Sequence, residues 1–352
     1  MKICYLGDAN VQVRRVAEYF SAAGHEVHLI TARPRPLAGL AVHSIAGILP
    51  AGRAAMVLGI PSARRLVREL RPDLIHVFYA TSYGMLSSFI HGPPVALSPM
   101  GTDVLISARA SRVSAAMVRR AIARASVVFS VAPHMTRRLV ELGAAEGNIL
   151  TFPRGVDTDM FAPAPRSMSR ANPVILSNRR LEPIYNIEQL IRAAPLVLQR
   201  HPEARFVLYG EGSLRPGLEA LARSAGVSEK VTFQGAIDHD RVPETLAGAD
   251  IYVSCSRSDG ASVSLLEAMA SGLYPVVSDI EANRRWIEGR NGELVPLDDH
   301  SRMAAALVRA IEALPRCGGV LESNRKLIER EASWRLNMPR MESAYARLTR
   351  SV

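Results

Sequence analysis

The chain has 352 residues, of which 48% are hydrophobic and 22% charged, so it is long enough for two globular domains and too apolar for a disordered or collagenous protein. Its three cysteines lie far apart, which excludes a disulfide-stapled fold and favours a reducing, cytosolic compartment. The opening MKICYLGD resembles a buried strand rather than a secretory signal, and uninterrupted apolar runs stay below the ~18 residues of a membrane-spanning helix. We therefore expect a cytoplasmic protein that does not cross a membrane.

Positive charge is concentrated in the first half of the chain. The net charge is +10, and residues 1–160 carry 18 basic against 10 acidic residues. Positions 104–140 contain several arginines and no acidic residue. A second basic cluster comprises Arg64, Arg65, Arg68 and Arg71. This pattern predicts attraction to an anionic membrane surface or a nucleic acid, with arginine-rich solvated helix faces as the alternative. Aromatic residues make up only 5% of the chain and rarely interrupt the basic runs, which argues against nucleic acid.

Short apolar runs alternate with amphipathic segments along the first half of the chain. The predicted strands are residues 2–6, 26–30, 74–78, 94–98, 126–130 and 149–152, and the predicted helices are residues 13–23 and 62–70. This alternation is typical of α/β proteins with parallel sheets. A segment rich in proline, aspartate and serine then predicts a linker near residues 160–172.

The same pattern restarts after this segment. The predicted strands are residues 174–177, 205–209, 231–233, 251–255 and 274–278, and the predicted helices are residues 186–199, 214–225 and 263–270. The sequence therefore predicts two doubly wound domains of similar size. Because open α/β sheets bind ligands at the carboxyl ends of their strands, we expect the function in a cleft between the two domains.

The strongest local motif is SDGASVSLLEAMASG at residues 258–272. Asp259 and Glu267 are eight positions apart, and small residues lead into a helix that should end at Gly272. The N-terminus of such a helix offers free N–H groups to an anion such as a diphosphate, and Glu267 lies where it can reach a ribose diol. An alanine-rich packing helix, with Asp259 as an ordinary turn residue, is the alternative interpretation.

The segment DGASVSLLEAMASGLYPVVSDIEANRRWIEGRNGELV resembles the nucleotide-sugar segment of glycosyltransferase family 4, whose members are retaining enzymes of the GT-B fold. Further similar segments are LSPMGTDVL, RGVDTDMF, NRRLEPIYNIEQLIRA, LYGEGSLRPGLE and ASWRLNMPRMESAYARL, so that the resemblance covers essentially the whole chain. It implies two Rossmann-like domains facing a central cleft. Residues 1–160 would bind the acceptor and residues 165–331 the nucleotide sugar, while a last helix at about residues 332–352 would cross back onto the first domain, with Trp334 at the junction.

The resemblance also implies roles for residues of the second domain. Glu267 matches the acid that holds the ribose, and Asp259 stands where the family usually has a glutamate that contacts sugar hydroxyls. Arg180 matches the arginine that neutralises the departing diphosphate, with Arg179 as the neighbour that could take this role. The remaining donor-side candidates are Gly260, Ala261, Ser262 and Val263 before the helix, and Gly210 and Glu211 in a Gly-x-Gly loop.

The chain departs from the family pattern at two positions. Tyr185 stands where the family often has a lysine, and Met100 replaces a histidine in SPMGTD. Asp103 is then the candidate catalytic group of the first domain. The other acceptor-side candidates are Asp8 and Asn10 in the first loop, and Gly101 and Thr102 beside Asp103.

Two aspartate pairs invite a metal interpretation. Asp157 with Asp159, and Asp238 with Asp240, have the spacing with which hard cations are held by carboxylates. The first pair lies at the predicted domain boundary and the second between elements at the surface. We therefore expect no metal or other cofactor, because arginine and helix amides would neutralise the diphosphate.

Together these features predict a retaining glycosyltransferase that moves a sugar from a UDP- or GDP-type nucleotide sugar to a hydroxyl acceptor. A lipid-linked acceptor or polysaccharide precursor is expected, because the basic first domain and the apolar stretch at residues 37–60 suit a peripheral enzyme on the cytoplasmic face of a membrane. The alternatives are a non-catalytic protein that binds sugar nucleotides or nucleic acid, and a sugar-nucleotide epimerase of the same fold.

Overall fold

Two separate parallel β-sheets organise the protein. The computed structural model describes residues 1–37, 39–45, 53–164, 172–289 and 291–350. The chain divides into two compact units: unit 1 comprises Met1–Pro153 with Met338–Val352, and unit 2 comprises Arg154–Asn337. The predicted class, α/β with two doubly wound Rossmann-like domains, is confirmed. Within the described ranges, no helix combines the length and the apolar character needed to span a bilayer.

Unit 1 contains the first sheet. Its strands are β1 (Lys2–Leu6), β2 (Glu26–Thr31), β3 (Ala41–Ser44), β4 (Leu74–Phe78), β5 (Val95–Ser98), β6 (Val127–Ser130) and β7 (Ile149–Thr151). Its helices are α1 (Val11–Ala22), α2 (Arg53–Leu58), α3 (Ile60–Leu70), α4 (Tyr83–Ser87), α5 (Ala108–Ala110), α6 (Arg112–Arg124) and α7 (Pro133–Glu141), with a π-helical turn at Asp103–Ser107. The described strands follow the order β3-β2-β1-β4-β5-β6-β7. The central strand β4 is buried along its whole length, as its apolar sequence LIHVF requires.

Unit 2 contains the second sheet. Its strands are β8 (Val174–Ser177), β9 (Arg205–Tyr209), β10 (Val231–Gly235), β11 (Ile251–Ser254), β12 (Tyr274–Ser278) and β13 (Glu293–Val295). Its helices are α8 (Ile187–Arg200), α9 (Arg215–Ser224), α10 (Val242–Ala247), α11 (Val263–Ala270), α12 (Glu281–Arg284), α13 (His300–Ala313) and α14 (Gly318–Glu331), followed by α15 (Trp334–Arg350). The described strands follow the order β10-β9-β8-β11-β12-β13. Apolar side chains of α8, α13 and the strands form its largest core.

Both sheets reverse their winding direction at one place. In unit 1 the reversal lies between β1 and β4, and in unit 2 it lies between β8 and β11. In doubly wound sheets, the loops that leave such neighbouring strands diverge and open a crevice at the carboxyl edge. The segments that follow β1, β4, β8 and β11 are therefore the places where side chains are best positioned for binding.

The strand predictions agree with the structure in most of the chain. Each predicted strand is present, with ends within two residues of those observed. The two strands that the sequence did not predict, β3 and β13, lie at sheet edges and have four and three residues. Short edge strands carry little alternating apolar signal, because β3 has no buried residue and β13 has one.

The boundary between the units differs from the predicted linker. Unit 2 begins at Arg154 because Val156 forms a parallel bridge with Ser333, and the Val156 N–H donates to the Ala332 carbonyl at 2.7 Å. The buried Phe161 packs in the same unit. Residues 165–171 of the predicted linker lie outside the described residues.

The last helix contributes to both units. Trp334 donates from Nε1 to the Gly155 carbonyl at 2.9 Å within unit 2, whereas the chain from Met338 onward belongs to unit 1. There, the buried Tyr345 hydroxyl hydrogen-bonds to Nδ1 of His76, a residue in the middle of β4. The end of α15 is therefore held in the core of unit 1 by a polar contact as well as by packing.

Candidate functional site

Two segments at the reversal point of unit 2 meet through an arginine and a carboxylate. Arg179 follows β8 and Asp259 follows β11. The Nη2 group of Arg179 donates to both carboxylate oxygens of Asp259, each at 2.9 Å, and Nη1 donates to Ser264 Oγ at 2.6 Å. The Arg179 side chain is only 11% exposed, so this ion pair is largely shielded from water.

Aromatic residues complete the surroundings of Arg179. Its guanidinium lies 4.5 Å from the centre of the Tyr185 ring, and the Tyr252 hydroxyl donates to the same Ser264 oxygen at 2.8 Å. Burial by itself would lower the pKa of Arg179, but the charge of Asp259, together with Tyr252 and Tyr185, outweighs it and raises the pKa. The site therefore holds a permanent cation, and Tyr185 supports it with an aromatic face.

Arg180 has different surroundings. Its side chain is 70% exposed, and Nη2 lies 3.4 Å from Glu182 Oε1. Glu182 in turn accepts hydrogen bonds from the N–H and hydroxyl of Ser213, which lower its pKa. The two neighbouring arginines thus point to different places, and it is Arg179 that contacts Asp259.

The Gly-x-Gly loop after β9 packs directly on the arginine segment. A Cβ atom at Gly210, where φ is +131°, would overlap the carbonyl of Arg179, and one at Gly212 would overlap the carbonyl of Leu181. The Leu181 N–H donates to the Glu211 carbonyl at 3.1 Å. The Glu211 side chain forms an ion pair with Arg215, so its described contact is with α9 rather than with Arg179 or Asp259.

We expect Gly210→Ala to lower the free energy of unfolding by about 2–4 kcal/mol, because it combines an unfavourable φ with a backbone overlap. Gly217→Ala is the matched control, since a Cβ there meets open space on α9. That control should gain about 0.5–1 kcal/mol of stability. Urea denaturation of both variants measures the difference, and equal effects would contradict the close approach at Gly210.

The turn before α11 presents backbone donors beside this pair. Gly260 and Ser262 are buried, Ala261 and Val263 are partly exposed, and the helix begins at Val263 without a side-chain cap. Among the described residues, the buried Ser262 hydroxyl has no hydrogen-bond partner. Since the first N–H groups of a helix lack internal partners, this turn is suited to an anion.

Glu267 lies on the same helix and has a partner that the sequence did not predict. Its Oε1 is 2.9 Å from His239 Nε2, with the two side chains 8% and 15% exposed. The His239 and Phe161 rings pack in a T-shaped arrangement. Because His239 is 28 positions from Glu267 and lies on a short 3₁₀ turn, its spacing in the sequence carries no signal of the pairing.

In the described residues, the first of the two aspartate pairs has local hydrogen-bond and ion-pair partners. Asp157 accepts hydrogen bonds from the N–H groups of Asp159 and Met160, and Asp159 pairs with Arg335 at 2.6 Å. No group of three or more histidine, cysteine or acidic side chains is arranged for a metal ion in the described part of the chain.

In unit 1 the structure places Asp103 in the interior, bonded to backbone amides. This residue is fully buried, and its carboxylate accepts hydrogen bonds from the N–H groups of Ala80 at 2.6 Å, Met100 at 3.1 Å and Val104 at 3.1 Å. Burial raises the pKa of Asp103, while these backbone donors oppose the rise. Asp103 therefore holds together the loops after β4 and β5 through backbone hydrogen bonds, and its catalytic role stays a prediction.

The other acceptor-side candidates lie along the same sheet edge. Asp8 accepts a hydrogen bond from the Tyr83 hydroxyl at 2.8 Å, and Asn10 caps α1 by accepting from the Val13 N–H at 3.1 Å. Gly101, with φ +101°, turns the chain into the π-helical segment, and the exposed Thr102 hydroxyl lies 3.2 Å from the Tyr79 hydroxyl. Asn10 is thus used in capping, whereas Asp8 and Thr102 are placed at the rim of the sheet.

Comparisons with known proteins identify this architecture. A model described as Glycosyltransferase Family 4 matches residues 9–160, and one described as Glycosyl transferases group 1 matches residues 172–313. Among solved structures, sucrose-phosphate synthase from Thermosynechococcus elongatus superposes with a TM-score of 0.87 at 18% identity over 100% of both chains. Anabaena HepE in complex with UDP-glucose gives 0.82 at 17% identity, also over 100% of both. The fold is therefore GT-B.

Curated relatives agree with this class. The phosphatidyl-myo-inositol mannosyltransferase of Mycobacterium tuberculosis is 28% identical over 329 residues, which span 88% of this chain and 84% of that protein. A GDP-mannose-dependent phosphatidylinositol monomannoside mannosyltransferase of Mycolicibacterium smegmatis is 30% identical over 52% of each chain. The protein is a glycosyltransferase, and it belongs to the group 1 glycosyltransferases of family 4.

Proposed function

We propose that the protein is a retaining glycosyltransferase that transfers a sugar from a UDP- or GDP-type nucleotide sugar to a hydroxyl of a lipid-linked acceptor. The observation that carries this proposal is the shielded Arg179, held between Asp259, Ser264 and Tyr185 where β8 and β11 end. A permanent cation beside a helix N-terminus suits a leaving diphosphate, since both stabilise negative charge as it develops.

Four groups of unit 2 contact the donor, namely the amides of residues 260–263 and the side chains of Arg179, Glu267 and Asp259. The amides of residues 260–263 and the Arg179 guanidinium bind the diphosphate, and Glu267, oriented by His239, accepts hydrogen bonds from the ribose. Without donor, Asp259 is the anion that pairs with Arg179. When the diphosphate takes its place, the Asp259 carboxylate becomes available to the hydroxyls of the transferred sugar.

Arg179 takes the role that the resemblance assigned to Arg180. The buried guanidinium loses little further rotational freedom on binding, whereas Arg180 is largely solvated. In the retaining step, the acceptor hydroxyl attacks from the face that the diphosphate leaves, and a diphosphate oxygen takes the acceptor proton. Because arginine and amides neutralise the leaving group, transfer should proceed without a metal.

The acceptor proposal rests on the relatives and on the charge of unit 1. Arginines on the surfaces of α3 and α6 are exposed, namely Arg64, Arg65, Arg68, Arg112, Arg119 and Arg120. Exposed apolar side chains accompany them at Val57, Leu58 and Val113. Each basic residue close to an anionic leaflet contributes about 1 kcal/mol, so a few suffice for reversible attachment at the cytoplasmic face. Residues 38 and 46–52 of the apolar stretch lie outside the described residues.

Two arginines of the predicted basic cluster form contacts within unit 1. Arg124 donates to the carbonyls of Ile90 and Pro93, and Arg138 pairs with Glu141 at 2.7 Å. These two arginines stabilise unit 1 itself. The proposed membrane-facing charge therefore excludes Arg124 and Arg138 and includes the exposed arginines of α3 and α6.

The test combines donor screening with transfer. Thermal shift with UDP-, GDP-, ADP- and dTDP-sugars in EDTA should give one stabilising nucleotide class. With that donor and phosphatidylinositol in anionic vesicles, NMR of the glycolipid should show the donor's anomeric configuration. An inverted product, a requirement for divalent metal, or epimerisation of the donor without transfer would overturn the mechanism. Transfer only to soluble saccharides, or vesicle binding that is absent at low salt, would overturn the lipid acceptor.

A further inference from the structure

Tyr79 has a backbone conformation that is unusual for its side chain. It directly follows β4 and has φ of +80°. In the described residues, positive φ occurs at eleven glycines and at Arg71, Tyr79, Asn186 and Asp298. Asparagine and aspartate tolerate this region best, and Arg71 ends α3 in the ordinary left-handed position. A tyrosine at +80° is strained.

The fold dictates this conformation from both sides. The Tyr79 N–H donates to the Ser98 carbonyl at 3.1 Å, which continues the β4–β5 ladder, and the Tyr79 carbonyl accepts from the Gly84 N–H at 2.9 Å at the start of α4. The next residue, Ala80, donates to the buried Asp103 carboxylate. With its neighbours held in this way, position 79 requires positive φ, for which glycine is the least strained residue.

The described contact of the ring does not explain why a tyrosine is found here. Its hydroxyl lies 3.2 Å from that of Thr102, which is exposed, and the ring is only partly buried. Hydrogen bonds between solvated hydroxyls contribute little to stability. Strained side chains that the core does not require are concentrated at binding sites.

Tyr79 also lies at the reversal point of the unit 1 sheet. The β1–β4 register pairs Leu6 with Val77, and Asp8 and Tyr79 each follow two residues later. Asp8 is oriented by the Tyr83 hydroxyl at 2.8 Å. An aromatic ring and a carboxylate therefore leave adjacent strands at the same height, where doubly wound sheets bind their ligands.

We propose that Tyr79 is an acceptor-binding residue that selects a cyclic polyol, a sugar or a cyclitol. The electron-rich face of its ring packs against the C–H groups on one face of the polyol, and Asp8 accepts hydrogen bonds from its hydroxyls. This inference rests on the proposed function, in which unit 1 binds the acceptor.

The first arm of the test needs no substrate. Tyr79→Gly relieves the strained backbone and should keep or raise the melting temperature relative to wild type, whereas Tyr79→Ala retains the strain and should melt lower than Tyr79→Gly. Arg71→Gly shows the gain from relieving positive φ at an unrelated position. If Tyr79→Gly melts no higher than Tyr79→Ala, the backbone at position 79 is not strained, and if Tyr79→Gly melts below wild type, the ring is a packing residue; either result makes the proposal wrong.

The second arm measures acceptor selection at saturating donor. With phosphatidylinositol vesicles, both Tyr79→Gly and Tyr79→Ala should raise the acceptor KM about tenfold, the size of a lost aromatic stack, with kcat changed less and Tyr79→Phe close to wild type. With an acyclic acceptor, diacylglycerol in the same vesicles, the variants should match the wild type. An unchanged KM for the cyclic acceptor, or an equal loss with both acceptors, would contradict ring selection.

The two proposals fail in different ways. A wild-type protein that transfers no sugar to any acceptor contradicts the proposed function. In that case, thermal shift measures the binding of two soluble cyclic polyols, methyl mannoside and myo-inositol. If Tyr79→Gly shows the same shift as wild type, the proposed role of Tyr79 is wrong.

Discussion

Arg179→Ala should lower kcat/KM about 100- to 1,000-fold, the usual effect of removing one preorganised group that stabilises developing charge. The loss should fall mainly on kcat, because negative charge on the diphosphate increases in the transition state. Arg180→Ala is the matched control, since its side chain is 70% exposed, and it should stay within about threefold of wild type. Steady-state kinetics with the donor identified by thermal shift measures both.

Loss of structure must be separated from loss of chemistry in this comparison. Removing Arg179 takes this ion-pair partner away from the Asp259 carboxylate, which is 16% exposed, so some destabilisation is expected. Arg179→Lys keeps the charge but loses the planar fork, and it should recover stability better than activity. If Arg180→Ala lowered kcat/KM more than Arg179→Ala did, Arg180 rather than Arg179 would be the residue that stabilises the diphosphate.

Glu267→Gln should raise the KM for the donor about 10- to 100-fold, because a charged acceptor of hydroxyl hydrogen bonds contributes about 1.5–3 kcal/mol. Glutamine keeps the shape of the side chain, and its amide oxygen can still accept from His239, so the fold should persist. A donor lacking the ribose 2′-hydroxyl isolates the contact. Wild type should bind this analogue more weakly than the normal nucleotide, whereas Glu267→Gln should bind the two almost equally.

His239 provides the control for positioning. His239→Ala leaves Glu267 charged but unrestrained, so the donor KM should rise less than in Glu267→Gln while discrimination against the deoxy donor persists in part. If Glu267→Gln still discriminates as well as wild type, the ribose is held elsewhere. An effect of His239→Ala on kcat alone would show that the histidine acts on a step after donor binding.

The pairing of Arg179 with Asp259 shows how an aspartate fits at position 259, where the resemblance implies the longer glutamate. An aspartate at position 259 reaches the arginine with both oxygens, and Tyr185 covers the guanidinium where the family often has a lysine. In the described residues, Arg179 is thus the arginine that contacts Asp259, and Tyr185 supports it with its ring.

Local sequence patterns determined much of this protein without reference to its tertiary structure. The apolar runs predicted the central strands, and the small residues before Val263 predicted helix α11 with its observed ends. The eight-residue spacing of Asp259 and Glu267 is likewise a local property. Such features depend on neighbours within a few positions, which is why periodicity and turn chemistry suffice to find them.

Only the tertiary structure decided the partners of these residues. Arg179 and Arg180 are adjacent and chemically identical, so the sequence cannot tell which one turns toward Asp259, 80 positions away. His239 reaches Glu267 across unit 2, and Asp103 is enclosed by backbone amides from two loops. The strained φ of Tyr79 arises because β5 and α4 hold its backbone from either side. Each of these outcomes depends on residues distant in the chain, where local pattern carries no information.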